Sequence, residues 1–159
     1  MCAIVDTNAA HEVFGSNAGQ ATEAGGRFFR WLSRGKGNLV VGGKLKQELD
    51  QGVPQFRMWA NQAILAGQLV NIDDNCVNNK TREVEEHDEL QSDDPHIIAL
   101  AQVSGARLLF SNDKNLHEDF RNAEIINNPR GKIYSTLENK SFTQEKKNLL
   151  DRHRCKPRN

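Results

Sequence analysis

The sequence has 159 residues and no formal net charge, because 21 Lys and Arg offset 21 Asp and Glu. That absence argues against a wholly basic nucleic-acid binder and against a wholly acidic disordered chain. No apolar run approaches the roughly 18 residues that span a membrane, so no membrane partner is expected. Cysteine is scarce: Cys2, Cys76 and Cys155 lie far apart and form neither a CxxC pair nor a metal-ligand spacing. Reduced thiols in a cytoplasmic protein are the expectation. The opening Met1-Cys2-Ala3-Ile4-Val5-Asp6 lacks the basic region and cleavage pattern of a secretory signal. There is no GxGxxG, and Gly42-Gly43-Lys44 lacks the spacing of a phosphate-binding lysine loop. The five histidines show no HExxH and no zinc spacing, and no Gly-x-Ser-x-Gly elbow occurs.

What is present is a chain of one-domain length with short, well-placed apolar runs in a 37% hydrophobic composition. The zero net charge hides an asymmetry. Residues 129–159 carry nine bases against three acids, a net +6. Residues 73–94 carry nine acids against Lys80 and Arg82, a net −7. A basic end beside an acidic body suits a polyanion or an acidic partner, or else a solvated terminus.

Strand and helix signals alternate. Cys2 to Val5, Asn38 to Val41, Leu69 to Ile72 and Ala106 to Phe110 read as short buried strands, with a fifth expected at Glu124 to Ile126. Thr7 to Phe14, Ala21 to Leu32, Lys44 to Leu49 and the segment opening at Pro54 read as helices, as do His96 to Val103 and Leu116 to Phe120. Residues 73–91 read as a solvated helix and loop. Ser141 and Gln144 resemble a capping box for a last helix from Phe142 to Arg152. The alternation predicts an α/β fold with a central parallel sheet of four to five strands. Residues 1–128 are expected to form the domain, and residues 129–159 a basic, partly helical extension.

In such a sheet, sites form beyond the carboxyl ends of the strands. Asp6 ends the first strand, Asp113 follows the fourth, Asp94 opens the helix before the fourth, and Glu48 lies on the helix after the second. Four converging carboxylates repel one another unless a cation is present, and oxygen-only ligands favour Mg²⁺ or Mn²⁺. Each acid also has a structural reading. Asp6, Asp94 and Asp113 are placed to cap helices, Asp93 competes with Asp94, and Glu48 suits a helix surface. His96, beside this region, reads as a partly buried structural residue.

Four motifs in order carry a resemblance to the PIN-domain nucleases. They are Ile4-Val5-Asp6-Thr7-Asn8, Lys44-Leu45-Lys46-Gln47-Glu48-Leu49, Asp94-Pro95-His96-Ile97-Ile98-Ala99-Leu100-Ala101 and Leu108-Leu109-Phe110-Ser111-Asn112-Asp113. The resemblance implies an α/β/α sandwich and metal-dependent endonuclease cleavage of RNA phosphodiester bonds. It assigns Asp6, Glu48, Asp94 and Asp113 as the acidic quartet binding Mg²⁺ or Mn²⁺. Thr7, Asn8 and Ser111 would orient those carboxylates or hold water. Asn115 stands where many relatives carry a further acid. The implied partners are single-stranded RNA, an antitoxin protein as in VapC-type toxins, and a second copy of the chain. Lys44, Lys46, Lys114 and the tail bases are candidates for backbone contacts.

Two other classes compete. A non-catalytic PIN-like module would bind RNA or protein without cutting. A dehalogenase-like phosphatase needs Asp-x-Asp after the first strand, where this chain has Asp6-Thr7-Asn8. A receiver domain could use Asp73 or Asp74 as acceptor but lacks the acid pair at the first strand.

Overall fold

The structure is a computed structural model that describes residues 2–15, 22–134, 148–150 and 152. Its strands are β1 (Ala3–Val5), β2 (Leu39–Val41), β3 (Leu69–Asn71), β4 (Leu108–Phe110) and β5 (Lys132–Tyr134). Its helices are α1 (Thr7–Phe14), α2 (Glu23–Ser33), α3 (Gly43–Gly52), α4 (Pro54–Leu65), α5 (Asp74–Glu85), α6 (Pro95–Ser104) and α7 (Lys114–Arg121). The five strands form one sheet in the order β3-β2-β1-β4-β5, and every pairing is parallel. Helices flank it in an α/β/α sandwich.

Three strands are fully apolar triplets, whereas the edge strands β3 and β5 each carry one exposed polar residue, Asn71 and Lys132. β1, β2 and β4 are buried at every position, as parallel strands covered on both faces must be. One aromatic group binds a helix to the sheet, and another joins two helices. Phe28 of α2 packs on Phe110 of β4 and Tyr134 of β5, with ring centroids 5.4 and 5.5 Å away. The Tyr134 hydroxyl donates to the Ala24 carbonyl at 2.7 Å. Phe14 of α1 meets Phe56 and Trp59 of α4 at 5.4 and 5.1 Å. Each such ring pair adds about 1 kcal/mol beyond area burial.

The fifth strand corrects the sequence expectation. Residues 124–126 turn instead of extending. The Asn122 side-chain oxygen accepts from the Glu124 amide, and its carbonyl accepts from the Ile125 and Ile126 amides. A local Asn-centred turn thus takes the amides that a strand would need. The strand forms at Lys132–Tyr134, so the sheet continues past residue 128. Gly131 makes that entry feasible, since a Cβ there would lie 2.1 Å from the Phe120 carbonyl oxygen. Leu150 is also buried in the core. The rest of the expected Phe142 to Arg152 helix lies outside the described residues, apart from 148–150 and 152.

Cys2 is disulfide-bonded, which corrects the expectation of three reduced thiols; Cys76 is free and exposed. Sequence spacing does not reveal such a bond, because it depends on which chain segments the fold brings together. Among the described residues, no helix is long and apolar enough to cross a membrane.

Candidate active site

The strand order reverses between β1 and β4. From β1 the chain builds outward to β2 and β3 on one side, while β4 and β5 lie on the other. The crevice beyond the carboxyl ends of β1 and β4 is therefore the topological switch point, where open α/β sheets place their ligands.

Asp6 follows β1 directly and is almost fully buried there. It opens α1, yet its side chain makes no cap hydrogen bond. Ser111, just after β4, donates to Asp6 Oδ2 at 2.9 Å. The Thr7 hydroxyl bridges Asp6 Oδ1 at 3.3 Å and Glu48 Oε2 at 3.5 Å. Burial raises the Asp6 proton affinity, and the Ser111 and Thr7 hydrogen bonds oppose that rise.

Asp94 opens α6 with Pro95 in the first turn, and it too makes no side-chain cap hydrogen bond. Its pKa is raised from 3.8 to about 6. Desolvation is the largest cause, followed by the charges of Asp6 and Asp113, a hydrogen bond with Asp113, and the charge of Glu48. All three other acids of the quartet are thus within electrostatic reach of Asp94.

Asp113 opens α7 and does cap it, accepting from the Asn115 and Leu116 amides at 2.9 and 3.2 Å. Its own amide donates to Ser111 Oγ at 3.1 Å. One hydroxyl therefore joins the two acids at the ends of β1 and β4. Glu48, on α3, faces Lys44 Nζ at 3.8 Å and His96 Nε2 at 3.4 Å. Asp93 is exposed beside Asp94 and lies on the wall of a separate cavity. Asn8 points to the β4 side, where its Oδ1 accepts from the Asn112 amide at 3.1 Å.

No family model, curated protein or solved structure matches this chain. The site is therefore argued from its own chemistry. The quartet offers carboxylate oxygens alone, a donor set that fits a hard divalent ion. The unrelieved repulsion around Asp94 also fits a cation. Against a ready-made centre, Asp113 is engaged as a cap and Glu48 is drawn toward Lys44 and His96. Among the described residues, no three His, Cys, Asp or Glu side chains form a compact metal-holding group. The arrangement gathers negative charge without closing around it.

Three residues matter here beyond those named from sequence for the site. His96 is buried, and its Nε2 lies in ion-pair range of Glu48 without hydrogen-bond alignment. Burial, with Lys44 nearby, lowers its proton affinity, while Glu48 and Asp6 pull the other way. Its place beside Asp94 and Pro95 was the available signal. Glu12 accepts from Asn112 Nδ2 at 2.9 Å and so anchors the loop after β4. Asp119 is buried and accepts from the Gln91 and Ser92 amides, each at 2.8 Å. Ser92 Oγ in turn accepts from the Asp94 amide at 3.4 Å. Asp119 therefore holds the loop that presents Asp94. Nothing in the local sequence separates it from a surface acid of α7.

Proposed function

We propose that the chain is a PIN-type, Mg²⁺- or Mn²⁺-dependent endoribonuclease that hydrolyses single-stranded RNA at the β1–β4 switch point. The observation that carries this reading is a pair of helix-opening acids that cap nothing. Asp6 and Asp94 occupy N-cap positions where Ser, Thr or Asn would serve stability as well without burying charge. Thr7 instead links the Asp6 carboxylate to Glu48, and Asp94 feels the charges of Asp6, Asp113 and Glu48.

In this reading Asp6, Asp94, Glu48 and Asp113 hold the cation. A bound divalent ion supplies Lewis-acid polarisation of a phosphoryl oxygen and lowers the pKa of water for in-line attack. The protein's own part is positional. Ser111 and Thr7 fix the two oxygens of Asp6, and the Ser111 hydroxyl fixes the start of the Asp113 loop. His117 holds the Ser111 carbonyl at 2.6 Å, steadying that hydroxyl from below. Lys44, at the crevice edge, is a cation for the RNA backbone.

The test is Mn²⁺-dependent cleavage of unstructured RNA by wild type, Asp6→Asn and Asp94→Asn, with calorimetric Mn²⁺ binding in parallel. Loss of several kcal/mol of charge stabilisation predicts roughly 10³-fold slower cleavage in either variant. Full activity in Asp6→Asn would end this mechanism. The Asp113 cap bonds favour one second reading, a non-catalytic module that binds RNA. Tight RNA binding with the RNA left intact in Mn²⁺ would select it. The antitoxin partner is tested by expression: growth arrest that Asp6→Asn relieves would support a toxin role.

A further inference from the structure

A second cavity, of about 370 Å³, adjoins the acids and falls within the size range of small-ligand pockets. Lys44 of α3, Asn78, Arg82 and Glu85 of α5, Asp93 just before α6 and His96 in its first turn supply its chemistry. Lys44 and His96 also face Glu48, so the cavity shares a wall with the candidate active site. A strand whose phosphate lay at the acids would bring a neighbouring nucleotide here.

The walls are built into the fold. The Gly43 amide donates to Asp74 Oδ1 at 2.8 Å, tying the start of α3 to the start of α5. Gly43 has a φ of +55°, and a Cβ there would crowd Val77 Cγ1 at 3.0 Å, so glycine is favoured where the two helices meet.

Lys44 and His96 are engaged with Glu48, and three other lining charges are unused by the fold. Among the described residues, the side chains of Arg82, Glu85 and Asp93 enter no ion pair and no hydrogen bond. On the same helix Lys80 and Glu83 do pair, at 2.8 Å. The cations Lys44 and Arg82 are matched by the anions Glu85 and Asp93, so the cavity is not a phosphate site. A balanced set of donors and carboxylates suits the edge of a nucleobase. Guanine is the base that offers adjacent N1–H and N2–H donors to a carboxylate while presenting O6 and N7 to an arginine.

We propose that this cavity receives a guanine base of the RNA, next to the phosphate at the acids, with Arg82 donating to O6 or N7 and Glu85 or Asp93 accepting from N1–H and N2–H. The inference rests on the nuclease reading for its biological use, but its binding chemistry is testable alone. Full-length protein without metal is titrated with GMP, AMP, CMP and UMP while backbone amide NMR shifts are followed. The expected result is saturable GMP shifts at residues 78–85 and 93–96, with roughly 10-fold or greater preference over the other nucleotides. Arg82→Ala and Glu85→Gln, both exposed substitutions, should each lose that preference. Mapping of Mn²⁺ cleavage sites on unstructured RNA then gives the second reading. Cuts beside guanine that lose this bias in Arg82→Ala support the proposal. Selective GMP binding without any cleavage supports the cavity and rejects the nuclease. Cleavage indifferent to base, or equal binding of all four nucleotides, overturns the cavity proposal while leaving the nuclease reading standing.

Discussion

Replacing Asp94 by Asn should make the metal-free protein more stable near neutral pH, although it damages the candidate site. Asp94 titrates at about 6 in the fold against 3.8 ordinarily. An acid whose folded pKa is raised favours the folded state when protonated. That advantage is complete below about pH 4 and is lost as pH rises through about 6. Two pKa units correspond to about 3 kcal/mol for a fully shielded group. Asp94 is only partly buried, and solvent screening reduces the figure to about 1 kcal/mol. Asn is isosteric and serves equally at an N-cap, and no side-chain cap bond exists to lose. The variant should therefore gain about 1 kcal/mol, or about 2–4 °C in Tm for a chain of this size. Urea and thermal unfolding in EDTA, from pH 4 to 8, would read it, and the gain should vanish toward pH 4. Added Mn²⁺ should reverse the order by stabilising wild type more than the variant. If Asp94→Asn lowers stability at neutral pH in EDTA, Asp94 is a structural residue and the reasoning fails.

Ser111→Ala removes the donor to Asp6 and the acceptor for the Asp113 amide; it should cost about 1–3 kcal/mol in urea unfolding and weaken calorimetric Mn²⁺ affinity about 10-fold to 100-fold. Asp119→Asn leaves one oxygen where two amides are now accepted; it should cost about 1–3 kcal/mol and increase hydrogen exchange at Gln91 and Ser92, with exchange in α7 itself little changed. Gly131→Ala forces a clash with the Phe120 carbonyl oxygen; it should destabilise by about 1–3 kcal/mol and lower amide protection in β5, measured by hydrogen exchange.

The parts of the fold written in local sequence were the parts decided locally. Apolar triplets such as Ala3-Ile4-Val5 and Leu108-Leu109-Phe110 mark buried parallel strands, and Asp94-Pro95 marks the start of α6. β5 was hidden because Ile125 and Ile126 are apolar and buried, as strand residues would be, yet Asn122 gathers their amides into a turn. The strand Lys132–Tyr134 opens a basic segment and carries only two apolar residues, too few for periodicity to mark it. For the site, the switch-point position of Asp6 followed from the strand pattern, and so did that of Asp113. The role of Asp119 did not, because burial of an acid on an amphipathic helix is decided by the loop that packs on it. His96 was legible as a neighbour of the acids. Its approach to Glu48 depends on how α3 meets α6.

Four helices begin with aspartate at the same end of one sheet, and two of the four, Asp73 of α5 and Asp113 of α7, use it as a cap. Asp113 shows what the structural role looks like: two amides held at 2.9 and 3.2 Å. Asp6 and Asp94 have the same opportunity and decline it, and both have raised proton affinities that record a cost to folding. Ser or Asn at either position would remove that cost and could cap as well. Local rules broken without a structural return cluster at functional sites. The same logic covers the neighbouring cavity, where the Arg82 side chain has no partner among the described residues although acids line the same space. Charge left unneutralised on one wall and charge left unpaired on the next are complementary to a metal and to a polar base. A single-stranded RNA bound with its phosphate at one and its base in the other would satisfy both.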